Sequence, residues 1–279
     1  MIELAENLGK IAGAYDPIRE LARFGQVFAV FDDQDSECLS YGVAVDGARW
    51  FVKLAPDRRT ARMLRSAAEF HAAVKHPVIV APARFNDAGT RAGIVYPWVS
   101  GSVLYHPTKS RRVSRTAPDS PLRAFRTQPL DVIERVIDDI FDAHLAVAAA
   151  GFVAVDFYDG CMLYDPATRA VRLIDLDLYQ RGPFTVGPEL LFGSKRYLSP
   201  EERTAGATVD ERTTVYLLGR TGRILMDEGD QEQAWRGTPE QLAVLERATR
   251  ADPAGRYRTV AEFVQAWRET AGEACPLAG

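Results

Sequence analysis

Cysteine is scarce in this sequence: 279 residues contain only three, Cys38, Cys161 and Cys275. An odd number of widely spaced cysteines excludes a disulfide framework, and no CxxC pair is available to hold zinc. The four histidines show no ligand spacing either. We therefore expect reduced thiols and no zinc site.

A basic excess, a signal peptide and long apolar runs are also missing. The net charge of −4 and a pI of about 5.7 exclude a general nucleic-acid binder. The first residues, MIELAENLGKIAG, lack the basic start and apolar core of a signal peptide. No apolar run approaches the roughly 18 residues of a membrane span. These absences predict a cytoplasmic protein that binds neither nucleic acid nor membrane.

What is present is typical of a globular protein, with 47% hydrophobic and 26% charged residues. Residues 1–23 look helical, and residues 55–75 predict a second helix that ends before a His-Pro pair. Five strand-like runs occupy the first hundred residues: 25–31, 38–45, 48–55, 78–85 and 92–99. Asp46-Gly47, between the second and third runs, predicts a tight hairpin.

The character of the chain changes near residues 99–101. Residues 105–128 are rich in Pro, Ser and Arg and predict a loop or irregular insertion. A β-rich patch at 152–177 interrupts an otherwise helical remainder, whose predicted helices are 130–150, 210–227, 239–250 and 260–272. The sequence therefore predicts an α+β fold with two parts, residues 1–99 and 100–279.

Several stretches, taken in order, resemble motifs of the protein kinase-like superfamily. They are FVK at 51–53, IVYPWVSGSVL at 94–104, VDFYDGCMLYD at 155–165, VRLIDLD at 171–177, GSKRYLSPEE at 193–202 and ADPAGRYRTVAEF at 251–263. Each is weak alone, but the ordered set is similar to the family pattern over residues 25–270. The resemblance is to a divergent member, related to bacterial Ser/Thr protein kinase-like and aminoglycoside phosphotransferase-like proteins. It implies a bilobal fold: a small five-stranded antiparallel β lobe with one main helix, then a larger, mainly helical lobe.

Asp156 follows an apolar, strand-like run, and a second acid follows three residues later. Taken alone, Asp156 is better explained as a turn aspartate between two strands. The resemblance implies that it is the catalytic base, which accepts the proton of an acceptor hydroxyl. The same resemblance implies that Glu201 and Arg256 form a structural ion pair.

The resemblance also implies an ATP site. Lys53 would be the catalytic lysine that contacts the α- and β-phosphates, and Glu69, the one acid within residues 62–75, would pair with it. Ser36 would donate to a phosphate. Backbone groups at the hinge would read the adenine edge, with side chains there shaping the pocket; these residues are Tyr96, Pro97, Trp98 and Val99.

A magnesium site is the third implication of the resemblance. Asp175, flanked by apolar residues, would be the main ligand, because Mg²⁺ takes carboxylate and phosphate oxygens. Cys161 stands where the family has a metal-binding asparagine, and a thiol is a poor ligand for this ion. Asp177 or Asp159 would then supply the missing oxygen. We expect a hairpin of 161–165 and 171–174 to bring Asp156 and Asp175 to one end.

The sequence departs from the kinase pattern at three other places, in the phosphate-binding loop and around the catalytic aspartate. The turn that follows the first strand-like run has four acids and no glycine, which is unlike a phosphate-binding loop. Ala154 and Val155 replace the His-Arg pair that precedes the catalytic aspartate. Tyr158 replaces the lysine that Ser/Thr protein kinases carry two residues after it.

Two classes of function stay open at this point. The first is an ATP-dependent phosphotransferase acting on a hydroxyl, with a small molecule slightly favoured over a protein Ser/Thr. The basic insertion would suit an anionic acceptor, although it is equally a solvated loop. Acceptor-binding candidates are Tyr158, Arg111, Arg112 and Arg115. The second class is a pseudokinase that binds nucleotide or acts as a scaffold.

Overall fold

The structure is a computed structural model that describes residues 1–31, 37–105, 114–189, 191, 193–229 and 232–272. The chain divides into two compact units. The first comprises Met1–Lys75 and Val80–Ser100. The second comprises His76–Ile79 and the described residues from Gly101 onward.

The first unit is built on a five-stranded antiparallel sheet, as predicted. Its helices and strands in chain order are α1 (Ile2–Ile11), α2 (Pro17–Leu21), β1 (Gln26–Phe31), β2 (Leu39–Val45), β3 (Ala48–Ala55), α3 (Arg58–Ala73), β4 (Arg84–Asp87) and β5 (Ala92–Pro97). The strand order is β1-β2-β3-β5-β4. At the predicted hairpin, Val45 pairs with Ala48 across Asp46 and Gly47, whose φ angles are 52° and 75°. Two positive φ angles are what a two-residue hairpin turn needs.

The sheet buries both faces against helices. Side chains alternate between the faces of a strand, so Val52 and Leu54 of β3 join the core formed with α1. Lys53 lies between them in sequence and therefore points to the opposite face. There Ile94, its cross-strand partner, packs with Leu64 of α3.

The fourth strand differs from the prediction. Residues 78–85 are strongly apolar, but β4 covers only Arg84–Asp87. Val78 instead accepts a backbone hydrogen bond from Leu173, and Ile79 forms an isolated parallel bridge with the same residue. A short apolar run specifies burial without specifying the partner.

The second unit is mainly helical around one long buried helix. In chain order it contains β6 (Ser102–Val103), α4 (Pro121–Arg126), α5 (Leu130–Ala149), β7 (Phe152–Val153), β8 (Met162–Asp165), β9 (Ala170–Leu173), β10 (Gln180–Arg181), β11 (Phe184–Thr185), β12 (Thr208–Val209), α6 (Glu211–Leu225), α7 (Pro239–Ala248) and α8 (Val260–Gly272). The apolar face of α5 packs against α6 and α8. The sequence predicted a loop or irregular insertion at 105–128, but the structure forms the helix α4 within this range. Ser120 caps it and Pro121 occupies its first position.

The amino-terminal region also differs, because it forms two helices where one was expected. α1 ends at Ile11, and α2 begins after Asp16, whose side chain accepts from the backbone N–H of Arg19. Within the part of the chain that the structure describes, no helix has both the length and the apolar composition needed to cross a membrane.

Candidate functional site

Asp156 and Asp175 share an unusual backbone conformation. Asp156 follows β7 and Asp175 follows β9, and each has φ of 57°. Aspartate is among the few non-glycine residues that adopt this left-handed region. Such conformations persist only where neighbouring groups hold them, and they are frequent at functional sites.

The hairpin of β8 and β9 brings these two segments together. Met162 pairs with Leu173, so Cys161 and Ile174 lie side by side. The backbone N–H of Ile174 donates to the carbonyl of Cys161 at 3.0 Å. The thiol of Cys161 donates to the carbonyl of Asp156 at 3.3 Å. The predicted hairpin is confirmed, and Cys161 joins the strand ends that carry the two aspartates.

Electrostatics place the acids in the same region. Burial raises the pKa of the Cys161 thiol well above its usual value, and Asp175 and then Asp156 raise it further. Burial also raises the pKa of the Tyr158 phenol, and nearby Cys161, Asp156 and Asp175 raise that pKa further. Both groups are therefore neutral at physiological pH. Tyr158 lies close enough to both aspartates to sense their charge.

Two of the four predicted metal ligands have other partners. Asp159 has no solvent exposure, and both of its oxygens accept from the guanidinium of Arg115, at 2.6 and 2.9 Å. Cys161 is a neutral hydrogen-bond donor, and metal binding requires a thiolate. Asp159 is therefore engaged by Arg115, and Cys161 must lose its proton before it binds a metal ion.

The remaining two predicted ligands suit magnesium chemically. Asp175 is exposed and Asp177 is buried, and both offer hard carboxylate oxygens. Among the residues placed by the structure, no group of three or more His, Cys, Asp or Glu side chains is arranged to hold a metal ion. Mg²⁺ in phosphotransferases is usually held by one or two carboxylates together with substrate phosphates. The carboxylates of Asp175 and Asp177 match that requirement in their chemistry, and their joint binding of one ion stays a prediction.

Arg115 also differs from its predicted role. Besides its bond to Asp159, its guanidinium lies 3.5 Å above the ring of Tyr105. A cation held in this way is a structural support, which argues against the predicted role in acceptor binding. Arg111 and Arg112, the other predicted acceptor-binding arginines, and Ser36 lie outside the described residues.

Sequence reasoning missed an aromatic support behind Asp156. His144 of α5 packs on Phe157 with ring centroids 4.6 Å apart. Its Nδ1–H donates to the carbonyl of Ile140 at 2.7 Å, so its Nε2 accepts from the Tyr179 hydroxyl at 2.8 Å. Burial lowers the pKa of His144 to about 4, which keeps the ring neutral. The one signal in the sequence was a histidine on the apolar face of a helix.

The segment GSKRYLSPEE lies beside the carboxylate of Asp156. A Cβ placed on Gly193 would come within 3.5 Å of Asp156 Oδ1 and 2.6 Å of Leu198 Cδ2. Glycine at this position therefore leaves room next to the proposed base. The same segment contains Glu201, which accepts from Arg256 at 2.6 and 2.9 Å, so that predicted ion pair is confirmed.

In the first unit, Lys53 is 5% exposed and directly opposes Ile94. The predicted partner Glu69 lies on an exposed part of α3. The helix packs through residues spaced three or four apart, which include Leu64, Ala67 and His71. Glu69 is two positions from Ala67 and from His71, on the opposite side of the helix. The Lys53–Glu69 pair stays a prediction.

The predicted hinge residues lie at and just after the end of β5, among aromatic side chains. Tyr96 and Pro97 pair with Phe51 and Trp50 of β3. The backbone N–H of Trp98 donates to the carbonyl of Arg49 at 3.0 Å, so that group is engaged within the sheet. Proline has no N–H. Among the four predicted hinge residues, Val99 is therefore the candidate backbone donor to an adenine ring.

Rings of Phe28, Phe31 and Phe51 surround this edge of the sheet. Phe28 meets Trp98 edge-on at 4.9 Å, and Phe31 lies 5.6 Å from Phe51. Tyr96 contacts both Phe51 and His71. The strand that carries Lys53 is thus flanked by aromatic side chains.

Neither a scan of protein-family models nor a search of curated proteins finds a match for this chain. The family resemblance therefore stands on the motifs alone. Lys53 belongs to the first unit, and Asp156 and Asp175 belong to the second. Their action on one ligand stays a prediction.

Proposed function

We propose that the chain is an ATP-dependent phosphotransferase that moves the γ-phosphoryl group of Mg-ATP to a hydroxyl acceptor. The observation that supports this most strongly is the pair of left-handed aspartates, Asp156 and Asp175, joined through Cys161. Two strained acids on adjacent segments are the arrangement that a base and a metal ligand need. We further propose that the two units are the lobes of a protein kinase-like fold.

Asp156 acts as the base in this proposal. The acceptor oxygen bonds to the γ-phosphorus while the bond from that phosphorus to the leaving oxygen of ADP breaks. The acceptor proton passes to the carboxylate of Asp156. The packing of His144 on Phe157 supports this segment from behind, and the absence of a side chain at Gly193 keeps one side open.

Asp175 and Asp177 would hold magnesium, which neutralises phosphate charge when it is bound. Lys53 supplies a further positive charge to the phosphates. Lys53 lies on a strand flanked by aromatic side chains, and such side chains favour packing against the flat adenine ring of a nucleotide.

A small-molecule acceptor is slightly favoured over a protein. Tyr158 occupies the position where Ser/Thr protein kinases carry a lysine, and its neutral phenol lies near Asp156. The alternative is a Ser/Thr protein kinase, which is favoured by the position of the GSKRYLSPEE segment beside Asp156.

The second candidate function is a pseudokinase that binds nucleotide or acts as a scaffold. Cys161 and Asp159 favour it, because a thiol is a poor ligand for Mg²⁺ and Asp159 is paired with Arg115. The three remaining side chains favour the enzyme, since a binding protein has no need of Lys53, Asp156 and Asp175 together.

Release of ADP from Mg-ATP tests the proposal. We expect slow turnover without acceptor and faster turnover with a panel of sugars, aminoglycosides and Ser/Thr peptides. Asp156→Ala should reduce turnover at least about a hundredfold, since general base catalysis contributes roughly 10²–10⁴. Asp131→Ala, at an exposed position of α5, is the matched control. Equal turnover by wild type and Asp156→Ala would contradict the assignment, and a thermal shift with Mg-ATP without turnover would favour the pseudokinase.

A further inference from the structure

The side chain and the backbone of Cys161 both contact the segments that carry the proposed catalytic acids. Its Sγ lies 3.3 Å from the carbonyl oxygen of Asp156 and 3.9 Å from that of Asp175. Its own carbonyl accepts from Ile174, the residue before Asp175. One residue thus connects two segments that are 19 positions apart in sequence.

These contacts fall on two residues that have a left-handed backbone conformation. Asp156 and Asp175 each have φ of 57°, and an L-residue keeps that conformation only when its surroundings impose it. A donor shared by their carbonyl groups fixes the peptide planes that follow both residues. The orientation of each carboxylate depends on those planes.

The same contacts argue against a role for Cys161 as a metal ligand. The Cys161 sulfur faces two carbonyl oxygens, which accept only from a protonated thiol, whereas a metal ion would need the lone pairs of a thiolate. The side chain is 1% exposed, so it also has little access to an ion in solution.

We propose that Cys161 is a positioning residue, whose thiol holds the backbone of Asp156 and Asp175 in their working conformations, and that it does not ligate metal. This inference rests on the proposed phosphotransferase function for its effect on rate. Its effect on the two segments is independent of that function.

Three variants of the full chain test the role by hydrogen exchange of segments 154–161 and 174–177. Cys161→Ala removes the donor and should raise amide exchange in both segments. Cys161→Ser retains a donor and should restore most of the protection. Cys38→Ala, at the other buried cysteine that the structure describes, is the matched control and should leave both segments unchanged.

Turnover gives the second measurement. Misplacement of a catalytic group by about 1 Å costs roughly a hundredfold in rate. We therefore expect Cys161→Ala to lower kcat at least about tenfold with KM for ATP nearly unchanged, and Cys161→Ser to recover most of the loss.

Cadmium provides a test of ligation that does not need activity. In a background of Cys38→Ala and Cys275→Ala, Cd²⁺ added with nucleotide should produce no thiolate-to-cadmium charge-transfer band. A band that disappears in Cys161→Ser would overturn the inference. So would unchanged exchange in Cys161→Ala, or a serine variant as defective as the alanine variant. If wild type shows no turnover, the proposed function is wrong, and the exchange and cadmium results still decide the role of Cys161.

Discussion

The guanidinium of Arg115 donates two hydrogen bonds to Asp159, a carboxylate with no solvent exposure. Arg115 comes from the basic insertion, and Asp159 lies three residues after the proposed base. The pair therefore anchors that insertion to the segment that carries Asp156.

Removal of this arginine should be costly. Arg115→Ala leaves a buried, unpaired carboxylate, and we expect a loss of about 3–5 kcal/mol in the free energy of unfolding. Urea denaturation with Arg123→Ala as a surface control measures it. A second substitution, Asp159→Asn, should recover part of the loss by removing the uncompensated charge. A cost below about 1 kcal/mol for Arg115→Ala would contradict a buried pair.

Arg256 and Glu201 provide a second buried pair, at 2.6 Å. Arg256 also donates to the carbonyls of Arg250, Arg212 and Ala251, so it connects the first turn of α6 to the loop after α7. We expect Arg256→Ala to lower the free energy of unfolding by at least about 3 kcal/mol.

A useful comparison for Arg256 is Arg268, whose ion pairs with Asp138 and Asp142 are about half exposed. Arg268→Ala should cost less than about 1 kcal/mol. Thermal and urea unfolding of both variants measure the contrast, and similar costs for the two would show that burial does not govern these pairs.

Glu202 should give the protein a pH dependence of stability in the neutral range. Burial raises the pKa of Glu202 to about 7, although the Ser199 amide donates to it. The folded state then binds more protons than the unfolded state between the ordinary pKa near 4.5 and 7. The stabilisation that Glu202 contributes to the folded state is fully present below pH 4.5, and it is lost as the pH rises through 7.

Glu202→Gln removes this titration. Relative to wild type, the variant should gain about 3 kcal/mol between roughly pH 4.5 and pH 8. Because other groups titrate equally in both proteins, the difference in unfolding free energy between them isolates Glu202. A pH-independent difference would mean that the carboxylate is ionised throughout this range.

The sequence predicted elements whose pattern is local. Asp46-Gly47 predicted its hairpin because the dipeptide adopts the required backbone angles by itself. The β8–β9 hairpin followed from two apolar runs around a short turn. The long helix α5 was placed to within one residue, because its apolar period continues over 20 residues.

Predictions that depended on tertiary partners were less successful. Val78 and Ile79 were apolar enough for a strand, but their neighbour proved to be Leu173, which no local signal indicates. Arg115 and Asp159 are 44 residues apart, and neither pattern nor propensity predicts which cation meets which buried acid.

The central claim is that Lys53 and Asp175 act on one Mg-nucleotide together with Asp156. The most direct test is a double-mutant cycle on Mg-ATP affinity, measured by calorimetry, with Lys53→Met, Asp175→Asn and the double variant, and with Lys10→Met as an exposed control. We predict that each single change weakens binding and that the combined loss differs from the sum by at least about 1 kcal/mol, as expected for residues that share a ligand. Losses that add to within about 0.5 kcal/mol, or no effect of either change, would contradict the account.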